Sequence, residues 1–284
     1  MTHRADAVGL VLARPARMLG LEPFFMELIA GMEEVLATDG RSLLLHVVKD
    51  MDAEIAAYRR WAAGEMVDAV VIVNLTHDDP RLAVVHELGL SAVVVGGPRS
   101  GFGFSNVWID DAQAMRDAVG YLVETLGHRR LARVSGPAQF EHTRQRSTAF
   151  VEECARFGVE GTIVEGDYTD TAGERCTRAL LGRGANPTAI VFDNDVMAVA
   201  AVGVAAEMGV AVPDQLSLLA WDDSALCRLA NPTISAMSLD VQAMGMQVAD
   251  CLLNMLAGGP VTAYMAPLPR LQARRSTSRA PVPA

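Results

Sequence analysis

Short apolar segments alternate with amphipathic ones along almost the whole chain, and this alternation limits the possible folds more than any other feature. The apolar segments have the length of buried strands, and the segments between them carry apolar residues at helical spacing. The predicted strands are Ala7–Ala13, Ser42–Val48, Asp68–Asn74, Ser91–Gly96, Arg130–Ser135, Thr162–Glu165, Thr188–Phe192, Leu216–Trp221 and Pro269–Ala273. The predicted helices are Glu22–Thr38, Asp52–Ala63, Pro80–Leu88, Asp111–Leu126, Thr143–Phe157, Thr171–Leu181, a helix ending before Gly209, and Asp240–Leu256. The sequence therefore predicts an α/β fold of doubly wound parallel sheets.

The predicted strands are too many for one compact sheet of usual size, so we expect two lobes. A Gly-rich loop starts at Gly96 and runs to about Val107 without a helical or strand pattern. The boundary between the lobes is expected near this loop.

The charge balance argues against a nucleic-acid-binding surface over most of the chain. The formal net charge is −10, whereas binding to phosphates needs clustered positive charge. The exception is the C-terminal stretch from Arg270 to Arg279, with Arg274 and Arg275 at its centre.

Other sequence features indicate a reduced, cytoplasmic, non-enzymatic protein. The four cysteines include no CxxC pair, and we expect free thiols. The N-terminus lacks a signal-peptide pattern, and no window reaches the roughly 20 apolar residues of a membrane span. The sequence contains no nucleophile elbow, zinc-protease or phosphate-loop motif, and Asp193 to Asp195 lacks the Gly of a calcium loop. We therefore expect no enzyme activity, no cofactor and no metal.

Candidate binding residues follow the predicted strands, at the sheet edge where parallel α/β proteins bind ligands. They combine carboxylates and an amide with arginines and aromatic rings, which suits a polar, hydroxyl-rich small molecule. The candidates are Arg14, Phe24, Phe25, Asp110, Arg146, Asn194, Asp195 and Asp222.

Most candidates have an alternative structural role. Both phenylalanines could pack in the core, and Arg144 or Arg146 could lie on a solvated helix face. Asp195 and Asp222 could each cap the following helix, although a binding role is favoured for Asp222, and Asp110 is similarly divided between a cap and a binding group.

Six short motifs follow one another in a characteristic order and spacing: Glu22 to Phe25, Gly136-Pro137 with Arg146 and Phe150, Asn194 to Ala198, Gly209 to Asp214, Ala220 to Asp223, and Leu271 to Thr277. Together they resemble the effector-binding domain of the lactose/galactose-repressor (LacI/GalR) family of bacterial transcription regulators. Three positions depart from the common pattern, with Ala220 in place of Gly, Trp221 in place of Phe, and Leu239 where a polar Gln is frequent, which would make one side of the pocket less polar.

The resemblance implies two periplasmic-binding-protein-like lobes with three crossings between them. The first lobe would comprise residues 5–106 with a return segment 236–266, and the second residues 107–235 with a final strand in 267–277, leaving 278–284 as a tail. A small effector would bind in the cleft between the lobes, contacting Phe25, Arg146, Asn194, Asp195 and Asp222, with Asp110 as a further candidate.

The resemblance also implies a homodimer that contacts DNA only through an N-terminal helix-turn-helix, which this chain is expected to lack. Apolar stripes pairing Ile55 with Tyr58 and Leu82 with Val85 are candidates for the dimer surface. The alternative function is a solute-binding protein of a sugar transport system, which shares the fold.

Overall fold

The computed structural model describes residues 5–14, 23–97, 102–182 and 186–281. In chain order the strands are β1 Ala7–Ala13, β2 Ser42–Val48, β3 Ala69–Ile72, β4 Ser91–Val95, β5 Ser105–Trp108, β6 Arg130–Ser135, β7 Glu160–Glu165, β8 Ala189–Phe192, β9 Ser217–Trp221, β10 Ser235–Ser238, β11 Ala263–Met265 and β12 Arg270–Gln272. The α-helices are α1 Pro23–Leu36, α2 Met51–Ala63, α3 Pro80–Glu87, α4 Asp111–Gly120, α5 Glu141–Phe157, α6 Asp170–Gly182, α7 Asp195–Glu207, α8 Ala225–Leu229 and α9 Val241–Leu256.

The chain divides into two compact units. Unit 1 contains Met1–Ile109 and Asp240–Pro267, and unit 2 contains Asp110–Leu239 and Leu268–Ala284. Each unit has its own six-stranded sheet, and the chain passes from one unit to the other three times. The predicted α/β fold is confirmed.

Unit 1 has the strand order β11-β5-β4-β3-β1-β2, with every pair parallel. Val8, Leu10 and Val70 on the inner strands are fully buried, as expected for a sheet covered on both faces. Helices α1 and α9 approach closely because glycines stand at their contact. A Cβ on Gly31 would lie 2.0 Å from the carbonyl oxygen of Gln242, and one on Gly245 would lie 2.2 Å from that of Leu28.

Unit 2 has the strand order β12-β10-β9-β8-β6-β7, which is parallel except for the antiparallel pair β10–β12. Its core contains Phe150, Trp221 and Met237. The C-terminal segment is joined to this sheet by hydroxyl groups. Ser276 Oγ accepts from Ser235 N at 2.8 Å and donates to the carbonyl oxygen of Leu218 at 2.6 Å.

The expected lobe boundaries differ from the observed units by a few residues. The predicted loop 96–107 contains most of β5, which pairs with β4, so the crossing falls after Ile109 instead of Asn106. The return to unit 1 starts at Asp240 rather than at residue 236, because β10 pairs with β9 in unit 2.

The expected C-terminal tail and helix 111–126 also differ from expectation. Residues 278–281 are attached to unit 2: Ser278 N donates to Ser217 Oγ at 3.0 Å, and Ala280 N donates to Leu126 O at 2.7 Å. The helix that starts at Asp111 changes to a π-helix over Tyr121–Thr125.

Three of the four residues expected to form a dimer surface are instead part of the core of unit 1. Tyr58 and Val85 are 0% exposed and Leu82 is 5% exposed, and all three pack in one apolar cluster. Ile55 is half-buried. Helical spacing shows that such residues share a face, and here that face covers the unit's own sheet.

Arg274, at the centre of the basic C-terminal stretch, is paired with a carboxylate, whereas Arg270, Arg275 and Arg279 are exposed. The guanidinium group of Arg274 makes a bidentate pair with Asp223, with both N–O distances 2.7 Å, and also donates to Ile234 O at 2.8 Å. No helix in the described part of the chain is long and apolar enough to cross a membrane.

Candidate functional site

The carboxyl edge of the unit 2 sheet brings together most of the predicted binding residues of that unit. Strands β6, β8 and β9 are neighbours in this sheet, and the chain leaves them at Gly136, Asp193 and Asp222 respectively. Helix α5 brings Arg146 to the same group, because its ring contact is with Trp221 at the end of β9.

Arg146 is the central side chain of this group. Its Nε donates to Asp111 Oδ1 at 2.6 Å, and its Cζ lies 4.1 Å from the centroid of the Trp221 ring. Only 8% of the residue is exposed. Its two terminal nitrogens make no hydrogen bond to any residue that the structure describes, so they remain available to a ligand.

The charges around Arg146 fix its ionised state. Burial alone would lower its pKa, but Asp111, Asp193, Tyr168 and Asp222 together hold the pKa above the ordinary arginine value. For Asp111, burial outweighs the attraction of Arg146, and the pKa of its carboxyl is raised. In this pair Arg146 therefore stays charged, whereas burial disfavours the ionised form of Asp111.

A second ion pair, which the sequence did not suggest, supports the first. Arg133 is fully buried in β6 and makes a bidentate pair with Asp193, at 2.8 Å to Oδ1 and 2.6 Å to Oδ2. Asp193 Oδ2 also accepts from Gly136 N at 2.9 Å, and Arg133 Nη1 donates to Ser147 Oγ at 2.7 Å. Burial alone would raise the pKa of Asp193, but Arg133 and Arg146 hold it below the ordinary value.

Two predicted binding residues cap helices. Asp110 accepts from Gln113 N at 2.8 Å at the start of α4. Asn194, not Asp195, caps α7 by accepting from Met197 N at 3.0 Å, and its amide nitrogen donates to Tyr168 O. Contact of either residue with an effector stays a prediction.

Asp195 connects helices α7 and α8 through a buried hydrogen bond. It is 2% exposed, and its Oδ2 accepts from Ser224 N at 3.1 Å, which ties α7 to the start of α8. Burial raises the pKa of Asp195, opposed by its hydrogen bonds with Ser224.

Asp222 and Arg144 are less enclosed. Asp222 is half-buried with a φ of 66°, a backbone conformation that L-residues rarely adopt, and its charge acts on Arg146. Such left-handed residues cluster at functional sites. Arg144 lies on the solvated face of α5, where it pairs with Glu141 one turn earlier at 2.6 Å.

Tyr168 belongs to the same group, although it was not predicted. Its hydroxyl lies 2.7 Å from His142 Nε2 and 3.2 Å from Thr143 Oγ1. Its ring packs over Gly136, where an added Cβ would lie 2.1 Å from Tyr168 Cζ. In the sequence, the one indication of this role is that Tyr168 lies three residues after the end of β7.

The predicted residues of unit 1 form a separate aromatic group. The rings of Phe24 and Phe25 meet edge to face with centroids 5.3 Å apart, and Arg14 Cζ lies 5.2 Å from the centroid of Phe25. Phe25 is 4% exposed, whereas Phe24 is only partly buried. Of the two, Phe24 is the more accessible ring. Glu22 lies outside the described residues.

Comparison with known proteins identifies the family. A family model described as periplasmic binding protein-like domain matches residues 119–277. The HTH-type transcriptional regulator CelR of Thermobifida fusca is 30% identical over 263 residues, which cover 91% of this chain and 77% of the relative. The HTH-type transcriptional regulator AglR of Rhizobium meliloti is 31% identical, with 78% of this chain and 63% of the relative covered.

Solved structures agree with these relatives. A LacI family transcriptional regulator from Bifidobacterium animalis subsp. lactis superposes with a TM-score of 0.89 at 32% identity, covering 98% of this chain and 100% of that one. A complex of the transcriptional regulator CelR with cellobiose superposes with a TM-score of 0.86 at 28% identity, covering 96% and 85%. The chain therefore belongs to the LacI/GalR family of transcriptional regulators and carries the periplasmic binding protein-like, effector-binding domain of that family.

Proposed function

We propose that this domain senses an uncharged, hydroxyl-rich small molecule, with a sugar as the first candidate, and that Arg146 and Asp222 bind it. The observation that carries the proposal is the state of Arg146. It is held over Trp221 and paired through Nε with Asp111, while its terminal nitrogens have no partner among the described residues. These nitrogens present two fixed donors to ligand hydroxyls.

The balance of charge at the site argues against an anionic effector. The guanidinium groups of Arg133 and Arg146 are outnumbered by the carboxylates of Asp111, Asp193, Asp195 and Asp222. Both arginines are already paired with a carboxylate. A carboxylate or phosphate on the effector would therefore meet uncompensated negative charge, which is costly where water is largely excluded.

The other predicted binding residues would have different roles in the two units. In unit 2, Asn194, Asp195 and Asp110 would act mainly by positioning the edge of the site. In unit 1, Phe24, Phe25 and Arg14 remain predicted effector contacts, and the partly exposed ring of Phe24 offers a face for the apolar side of a sugar.

The relatives favour a regulator over the transport alternative. CelR and AglR are both described as transcriptional regulators, and the CelR structure contains cellobiose. We infer that this domain acts in the cytoplasm, that effector binding shifts its conformational equilibrium, and that DNA is contacted by a helix-turn-helix.

The test is a thermal-shift screen followed by calorimetric titration. The panel pairs cellobiose and other neutral sugars with carboxylate counterparts of about the same size, such as aldonic acids. We expect a neutral sugar to bind more tightly than its charged counterpart. Equal or tighter binding of the charged member would refute the proposal of an uncharged effector.

The site assignment is tested separately with the sugar that binds. Asp222→Asn removes a charged acceptor at nearly constant volume, and we expect at least tenfold weaker binding, about 1.4 kcal/mol. Arg144→Ala is the control, because Arg144 lies on the exposed face of the same helix as Arg146. If Asp222→Asn binds as tightly as the parent, Asp222 is not a contact.

A further inference from the structure

A second cavity lies in unit 2, at the opposite edge of the sheet from Arg146. Its volume is about 510 Å³, within the range of about 300–1,000 Å³ typical of small-molecule sites. The cavity is lined by residues at the amino ends of three strands: Arg130 begins β6, Thr188 precedes β8, and Gln215 precedes β9. It therefore shares no lining residue with the proposed effector site.

The lining of this cavity is positively charged. It includes the adjacent Arg129 and Arg130, and no Asp or Glu among the described lining residues. This is unusual in a chain with a formal net charge of −10. By contrast, the buried arginines Arg41, Arg81, Arg133 and Arg146 are each paired with a carboxylate.

Donor groups in the cavity remain unused within the described chain. The side chain of Arg129 makes no hydrogen bond or ion pair there, and the guanidinium group of Arg130 uses only Nε, which donates to Asn186 O at 2.8 Å. Gln215 accepts from Ala211 N through Oε1 at 2.8 Å, which leaves its amide nitrogen for another partner. Two guanidinium groups and one amide thus belong to residues that line the same cavity.

The walls of the cavity are held by a continuous set of hydrogen bonds. Thr188 N donates to Arg130 O at 2.8 Å, and Ser217 N donates to Thr188 O at 2.9 Å. His128 joins the hydroxyl of Thr188, at 2.9 Å, to the carbonyl oxygen of Ser278, at 3.1 Å. Binding here would need little reorganisation of the backbone, which lowers its cost.

We propose that this cavity is a second ligand site, which binds a small metabolite through a phosphate group. Guanidinium groups recognise phosphate by paired, charge-assisted hydrogen bonds. The cavity volume leaves room for the carbon skeleton beside the phosphate. The site is independent of the effector proposal, because an uncharged ligand is expected at one edge of the sheet and an anionic ligand at the other.

The experiment uses glycerol 3-phosphate as the probe, with inorganic phosphate and glycerol for comparison. Calorimetric titration at low ionic strength should show saturable one-to-one binding of glycerol 3-phosphate and no binding of glycerol. The variant Arg129→Gln/Arg130→Gln should bind at least tenfold more weakly. Both side chains belong to exposed residues, so the variant should fold, which circular dichroism checks.

The matched control is Arg156→Gln/Arg178→Gln, which removes the same charge from exposed side chains elsewhere on unit 2. It should retain the affinity of the parent for glycerol 3-phosphate. Equal weakening in both variants would show general attraction between charges and overturn the proposal. The proposal would also be overturned if binding to the parent did not saturate up to about 10 mM glycerol 3-phosphate, roughly tenfold above a Kd of 1 mM.

Discussion

At the scale of single residues, Arg146 serves both the packing of unit 2 and its proposed effector site. Nε is committed to Asp111, the guanidinium face covers Trp221, and only the terminal nitrogens remain. Removing the side chain would therefore leave the buried carboxylate of Asp111 without its cation. Breaking one side of such a pair costs about 3–5 kcal/mol.

A conservative substitution separates the two roles of Arg146. We expect Arg146→Lys to keep an ion pair with Asp111 and to fold, but to lose the two fixed donors and bind the effector at least tenfold more weakly. Arg146→Ala should instead lower the free energy of unfolding by about 3–5 kcal/mol. Urea unfolding and calorimetric titration measure the two effects. An Arg146→Lys protein with parental affinity would exclude the terminal nitrogens as effector contacts.

The ion pair between Arg133 and Asp193 should make stability depend on pH. The pKa of Asp193 is lower in the folded protein than its ordinary value of 3.8, because the effect of burial is outweighed by the combined attraction of Arg133 and Arg146 and by hydrogen bonds from Arg133 and Gly136. A carboxyl with a lowered pKa stabilises the fold above its unfolded pKa, and this contribution is lost as pH falls through the folded pKa.

The variant Asp193→Asn should therefore be much less stable than the parent at neutral pH, and the difference should shrink as pH falls below 3.8 and through the lowered pKa of folded Asp193. Urea unfolding at several pH values measures it. Asp214→Asn, at an exposed position of the same unit, should show a small difference at every pH. A constant difference for Asp193→Asn would mean that the ionised carboxylate adds no stability.

The sequence predicted which edge of the unit 2 sheet carries the candidate residues, but it did not predict which of these residues cap helices. Strand ends predicted Arg146 and Asp222, which the structure brings together. The same rule could not tell binding groups from caps, because Asn194 and Asp110 satisfy backbone N–H groups within three residues of themselves. Tyr168 was overlooked because its neighbours, His142 and Thr143, are distant in sequence.

At the scale of elements, the long helices and the strands with apolar runs were predictable, whereas strands without such runs were not. Strands β1, β2 and β6 begin and end where their apolar runs predicted. Strand β5 is mostly buried but starts with the polar pair Ser105-Asn106, and the three residues of β11 are all exposed, so neither has an apolar run in sequence. Pairing with neighbours, rather than local pattern, creates such strands.

The contact between α1 and α9 depends on two glycines that have no special meaning in sequence. A methyl group at Gly245 would overlap the backbone of α1, and the helices would have to separate. We expect Gly245→Ala to lower the free energy of unfolding by about 1–3 kcal/mol. Thermal or urea unfolding measures the change.

Gly203→Ala is the matched control for this prediction. Gly203 lies inside α7 with open space at its Cβ position, so alanine should stabilise the helix by up to about 1 kcal/mol. If Gly245→Ala is as stable as the parent, the two helices can move apart without cost and the close contact does not stabilise unit 1.

At the scale of the whole molecule, exposed leucines on α8 suggest how two copies associate. Leu229 is 81% exposed and Leu226 is 36% exposed, and their spacing of three places them on one side of the helix. A homodimer stays our prediction, and Tyr58, Leu82 and Val85 of the stripes expected to form its surface are buried. We propose that α8 of unit 2 contributes to the dimer surface in their place.

Light scattering after size exclusion should therefore give twice the mass of one chain at tens of micromolar, roughly the range in which even modest interfaces associate. Leu229→Asp should place a charge in the interface and shift the protein to monomers. Val151→Asp is the control, because Val151 is 57% exposed on α5 of the same unit and lies outside α8. A monomeric parent would refute the homodimer. A dimeric Leu229→Asp protein would refute only the role of α8, because desolvating a new aspartate in a packed contact is too costly to leave dimerisation unchanged.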